Sequence, residues 1–195
     1  MCAAGILIRL IRPRFEINFN QRIMSASKLP EIWLRGPLDG ITPFLQPVAH
    51  ALLQAKEEIN ELMKDFPEHL LWEKPAGVAS PGFHLQHLAG VLNRLFTYAE
   101  GKSLSEEQLT ALKAEGKAEA AGNLQELLQI FNQQVEKSIE QLKVTAADEL
   151  TEFRGVGRAQ LPSTVLGLLV HGAEHTMRHM GQLLVTVRIL LAGTA

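Results

Sequence analysis

The sequence contains one cysteine, Cys2, in 195 residues. No disulfide can form within the chain, and no zinc cluster built on thiolates. Aromatic residues are sparse, at 6%. Long apolar runs are missing. The best candidates, Val165–Val170 and Ile189–Ala192, are flanked by His171 and Arg188. They fall far short of the roughly 18–20 residues that span a bilayer, so no membrane role is expected. Neither sign of charge dominates: 19 Lys+Arg stand against 21 Asp+Glu, for a net charge of −2. That balance gives no general attraction to nucleic acid or anionic lipid, and neither is expected as a partner. A Gly-rich phosphate loop, a G-x-S-x-G elbow and an H-E-x-x-H string are absent as well.

What remains is an ordinary globular composition, 46% hydrophobic. The length suits one domain with a core that needs no disulfide. The first 23 residues stand apart. Their apolar stretch, Cys2–Ile8, has no basic residue before it, and Arg9, Arg12 and Arg14 follow it. That order is wrong for a secretory signal, and the expected location is cytoplasmic. Residues 1–23 are expected to be an extraneous leader or a mis-called start, with Met24 opening a single domain over 24–195. The leader holds four arginines and one glutamate, so residues 24–195 carry −5 and no cysteine.

From there the chain reads as helix broken by clear stop and start signals. Ile41–Asp65 places Phe44, Val48, Leu52, Ile59, Leu62 and Met63 at near-helical spacing. Pro43 and Pro47 put the regular part after about Pro47. Ser80-Pro81 predicts an N-cap with proline at the first helical position, opening a helix to about Glu100. Ser105 and Gln108 suggest a capping box on a short helix. Asn123–Lys143 is a long amphipathic helix, with Leu124, Leu127, Leu128, Phe131, Val135, Ile139 and Leu142 on one face. Thr145–Gln160 reads as loop, with a short extended piece near Phe153. Pro162 is expected to start a last helix running to about Leu191. No strand pattern of useful length is visible. The expected class is all-α, a four-helix bundle with an additional short helix and loops.

Seven histidines are the odd number in the composition, and five fall in two segments. His84 and His87 open the second long helix; His171, His175 and His179 lie in the last. Residues four apart differ by about 40° around a helix and can converge on one metal ion. Residues eight apart are separated by roughly 12 Å, so only one adjacent pair of the three can share an ion. A third imidazole from the other helix, His84 or His87, would complete a three-histidine site with an open position. Spacing selects neither histidine and neither pair. Structural imidazoles, each bonded to its own partner, give a plainer account of the same residues. A polar stripe continuing through Gln182 and Thr186 suits a lined cavity. The string His171-Gly172-Ala173-Glu174-His175 matches the H-x-x-E-H of inverted zinc peptidases, but no acidic residue follows it to act as a further ligand. Glu174 is expected instead to pair with Arg178 on the helix surface. His50 and His69 stand alone and are given no role.

His87-Leu88-Ala89 early in one helix, and His175-x-x-x-His179-x-Gly181-Gln182 in the last, together resemble the DinB-like (DinB/YfiT) superfamily. The resemblance spans about Pro37–Leu191, and Thr97-Tyr98-Ala99 has the look of one branch. It implies a four-helix bundle holding Zn²⁺ or Ni²⁺. The ligands it implies are His87, His175 and His179, which resolves both ambiguities. Met180 stands where the family more often has arginine. The function implied is a metal-dependent enzyme of thiol S-transferase or hydrolase type, acting on a small-molecule substrate, with a low-molecular-weight thiol as one candidate. A homodimer is implied too. The alternative is a non-catalytic, stress-associated metal-binding bundle. Glu149, Glu152, Arg154 and Arg158 are the loop residues that could serve acid–base chemistry, and nothing singles one out.

Overall fold

All but the first of the α-helices begin on side chains that the sequence sets just before them. The structure, a computed structural model, describes residues 29–193, so the expected leader lies outside the described residues. Helix α1 spans Gln46–Met63, α2 Pro81–Ala99, α3 Glu106–Ala114, α4 Leu124–Val144 and α5 Val165–Ala192. Ser80 Oγ accepts from the Phe83 N–H at 3.2 Å, with Pro81 at the first helical position of α2. Asn123 and Glu126 form a reciprocal capping box on α4, as Ser105 and Gln108 do on α3. Gly101, at φ +72°, follows α2 in the left-handed region that favours glycine. A 3₁₀ turn, Pro43–Leu45, precedes α1, so the regular helix starts beside Pro47.

Helices α1 and α2 each pack on both α4 and α5, which sets them at opposite corners of a four-helix bundle. Directions follow from side-chain pairs. Asn60 meets Asn132 and Lys56 meets Glu136, so α1 and α4 are antiparallel. His87 meets His175 and His84 meets His179, so α2 and α5 are antiparallel. Asn93 bonds Gln134, and Gln141 bonds the Phe96 carbonyl, so α2 and α4 run parallel. A parallel pair needs a return crossover, and residues 100–123 supply it. Within that crossover α3 lies antiparallel along α2, with Gln108 bonded to Asn93 and Thr97. None of its residues is buried. The core is aliphatic with two large rings, Phe96 and Phe131, at its centre.

Four expectations are corrected. A two-stranded antiparallel hairpin, β1 (Phe153–Val156) with β2 (Leu161–Thr164), precedes α5, where the sequence suggested a loop and one extended piece. Pro162 sits in β2 opposite Gly155 rather than at the start of α5. In so short a ribbon, proline's missing N–H is tolerated. Thr164, whose hydroxyl accepts from the Gly167 N–H at 3.0 Å, is the cap that starts α5 instead. Phe44, counted on the buried face of α1, lies in the preceding 3₁₀ turn and is 68% exposed. The two halves of the expected polar stripe separate, with Gln182 exposed and Thr186 buried.

Helix α4 offers a sharp test of this packing, because Phe131 is fully buried and its neighbour Ile130 is 51% exposed. Phe131→Ala is expected to cost about 3–5 kcal/mol of unfolding free energy. Ile130→Ala should stay within about 0.5 kcal/mol of the parent. Urea denaturation of the two variants checks both.

Candidate metal centre

Helix geometry decides which histidines meet. On α2, His84 and His87 are one turn apart; on α5, His175 and His179 are one turn apart. Because the helices are antiparallel, the pairs face each other in reversed order. His87 Nε2 lies 2.9 Å from His175 Nε2, and His84 Nδ1 lies 3.0 Å from His179 Nδ1. The His87 and His179 ring centroids are 4.6 Å apart, and those of His175 and His179 4.5 Å. His87, His175 and His179 each offer a nitrogen within 4.8 Å of the other two. All three are half-buried, while His84 behind them is 3% exposed.

The contacts around this cluster hold its rings in place. His87 Nδ1 is 2.8 Å from Glu115 Oε2, at the end of the crossover helix. Arg94, two turns further along the same face of α2, donates to the other oxygen of Glu115 at 2.5 Å. Phe83 stacks on His87 with 5.2 Å between centroids and 10° between planes.

Burial sets the electrostatics. It pushes the His84 imidazole down to about 4, with the neighbouring His87 adding to the effect. Burial does the same to His179, again to about 4, helped by the adjacent imidazoles. His175 is lowered for the same reasons. Burial alone would raise Glu115, but hydrogen bonds from His87 and Arg94 outweigh it and hold the carboxyl below its ordinary range.

The donor set fits a divalent ion. Three imidazole nitrogens within 4.8 Å can close on a centre with bonds of about 2.0–2.1 Å. His175 Nδ1 is buried without a hydrogen-bond partner, while its Nε2 meets another imidazole nitrogen. A ring so placed lacks the ordinary protein partners of a structural histidine. The account in which each imidazole has its own partner leaves His175 Nδ1 without one.

The spacing argument left two choices open, and the structure brings together His87, His175 and His179. His171 is half exposed and lies 3.6 Å from Glu174, with its ring 5.4 Å from that of His175. Glu174 accepts from Arg178, as expected. His69 is exposed, and His50 bonds the Gly36 carbonyl. The loop candidates do not reach the cluster. Arg154 donates to the Ala99 carbonyl at the far end of α2, about 18 Å along the axis from His87. Glu152 pairs with Arg154, Glu149 lies in the 3₁₀ turn Asp148–Thr151 just before the hairpin, and Arg158 sits in the hairpin loop. Sequence reasoning missed Glu115 and Arg94. Glu115 is 28 residues from its histidine, in a stretch with no metal-site spacing, so no local signal marks it.

Comparison with known proteins agrees with this architecture. The sequence profile of the DinB superfamily matches residues 51–183. A conserved protein of Enterococcus faecalis superposes with a TM-score of 0.63 at 17% identity, over 76% of this chain and 97% of its own. A protein from Streptococcus pneumoniae does so with a TM-score of 0.55 at 16% identity, over 74% and 88%. At those identities the likeness is one of fold. No curated protein matches the chain. With the profile covering most of its length and both histidine segments inside it, the chain belongs to the DinB superfamily.

Proposed function

We propose that the chain is a metal-dependent enzyme in which His87, His175 and His179 hold one divalent ion, Zn²⁺ or Ni²⁺, for thiol S-transfer or hydrolysis of a small molecule. The observation that carries this reading is the convergence of three half-buried imidazoles, one with an orphaned nitrogen. When bound, such an ion supplies Lewis-acid activation of a nucleophile. The chain's own residues do the rest. Burial keeps His179 and His175 neutral, which is the form that ligates. All three donors are uncharged ligands, and the Glu115 carboxylate is already matched by Arg94. The positive charge of the ion is thus left largely available to an anionic partner such as a thiolate. A low-molecular-weight thiol is one candidate cosubstrate, and it would supply the sulfur that residues 24–195 do not carry as cysteine.

A cytoplasmic, homodimeric protein without nucleic-acid or membrane partners belongs to the same proposal. No helix among the described residues is long and apolar enough to cross a membrane. The exposed Val185 and Ile189 on α5 support self-association.

One observation favours a non-catalytic metal-binding bundle as the second reading. Phe83 stacks on His87, and two clefts of about 370 and 470 Å³ lie elsewhere, against α4, with no triad histidine in either. Turnover with small thiols and an electrophilic acceptor separates the two. The enzyme reading expects consumption of both, and the second expects metal without turnover.

Metal content tests the site itself. Untagged protein is expected to carry about one equivalent of divalent metal by mass spectrometry. His171→Ala should retain it and His175→Ala should lose it. Metal-free wild type, or unchanged loading in His175→Ala, would refute the site.

Acidification gives a further check on protein stripped of metal. His84 and His179 titrate near 4 when folded and near 6.5 when unfolded. The unfolded state therefore binds more protons between those values. Stability should be flat above pH 6.5 and fall as the pH drops toward 4. Denaturation midpoints across that range read it out. In His84→Gln the fall should be shallower.

A further inference from the structure

Glu115 has a placement that the proposed ligand set does not explain. The crossover returns along α2, and its end is fastened to that helix. The Gly116 N–H donates to Gln86 Oε1 at 2.7 Å, and Gly116 sits at φ +82°, a conformation that favours glycine. One residue earlier, Glu115 is directed onto α2. Its side chain is 9% exposed, with one oxygen 2.8 Å from His87 Nδ1 and the other 2.5 Å from Arg94 Nη1. Gly90 makes the room. A Cβ there would lie 2.5 Å from Glu115 Oε1 and 2.8 Å from Arg94 Nη1. Three positions on one helix, His87, Gly90 and Arg94, thus accommodate a single carboxylate, and Gln86 fastens the residue after it.

An ionised carboxylate only accepts hydrogen bonds, so the shared proton must sit on His87 Nδ1. We infer that Glu115 is a positioning residue: it fixes His87 in the Nδ1–H tautomer and so presents the Nε2 lone pair to the cluster. Carboxylate–histidine pairs of this kind orient metal ligands and raise their basicity. The inference rests on the proposed metal site and adds to it a residue that touches neither ion nor substrate.

Arg94 gives the test an unusual sign. In Glu115→Gln the amide oxygen remains the natural acceptor for Arg94, which can only donate. The amide NH₂ then faces His87 Nδ1 and asks it to accept, driving the proton to Nε2. Glu115→Ala leaves the ring free to take either tautomer. The near-isosteric variant should therefore bind metal worse than the truncated one. If Glu115 only props up the fold, the order reverses, because glutamine fills the space better than alanine.

The experiment pairs zinc affinity, from competition with a chromophoric chelator, with long-range ¹H–¹⁵N spectra of histidine-labelled, metal-free protein. Wild type should bind Zn²⁺ and show His87 protonated at Nδ1. Glu115→Gln should show the proton at Nε2 and lose roughly 10–100-fold in zinc affinity, with a smaller loss in Glu115→Ala. Wild type that binds no zinc overturns the metal site itself. Zinc binding that is intact in wild type and unchanged in Glu115→Gln overturns the role of Glu115. So does a larger loss in Glu115→Ala, or a wild-type His87 protonated at Nε2. The tautomer is read without metal, so the two failures are distinguishable.

Discussion

The antiparallel seam between α2 and α5 is the constraint on which the rest of the site depends. A turn of helix advances about 5.4 Å, and the paired histidines are three residues apart on α2 and four apart on α5. Those steps, about 4.5 and 6 Å, nearly match, so both cross-helix contacts form in one register. Sliding one helix by a turn would set His84 against His175 in one direction, or His87 against His179 in the other, and in either case the three-nitrogen cluster would be broken up. The register is held by close packing further along. A Cβ on Gly172 would meet the Phe96 ring at 3.3 Å and Leu92 at 3.5 Å, so the helices come into close contact there. At the other end a Cβ on Gly82 would fall 2.8 Å from the Trp72 indole, which locks the start of α2 against the preceding loop. The histidines lie between these two fixed points.

Topology accounts for what surrounds them. Because α2 and α4 run parallel, the chain must climb back along the bundle between them. The climb follows α2, and it ends beside the turn that carries His87. The crossover contributes no buried residue through α3 and is fastened by polar groups instead: Gln108 at its lower end, Glu115 and Gly116 at its upper end. A segment held by hydrogen bonds, with little burial, depends on those bonds for its position. The same contact that anchors the crossover also orients a ring of the cluster.

These relations explain what could be read from the residues alone. Caps are local, so Ser80 and Ser105 marked their helices to within a residue. The helical stripe on α4 and the histidine spacing on α5 are periodic, and periodicity survives without knowledge of partners. Pro162 misled because a proline serves a helix start and a short edge strand equally well, and Thr164 gives no stronger local signal than Pro162 does. Phe44 misled because the helical count was carried one turn too far back, into a 3₁₀ segment. The choice of His87 over His84 came through family resemblance, since both lie on the facing side of α2. Glu115 was out of reach. Its partnership depends on a crossover that returns over 28 residues, and neither composition nor period records that return.

The two histidines of α2 end in unlike roles for a physical reason. His84, nearer the helix start and nearly inaccessible, has another imidazole as its hydrogen-bond partner among the described residues, so burial holds it neutral and it serves as a backing for His179. His87, one turn on, is more open and has a carboxylate on its far side. A neutral partner can exchange donor and acceptor roles with the ring it meets, whereas a carboxylate cannot. Of the cluster's two polar supporting contacts, only the one at His87 therefore dictates where a proton sits. That contact belongs to the crossover rather than to the four bundle helices. The bundle brings the nitrogens together, and the connection between two of its parallel helices decides how one of them is presented.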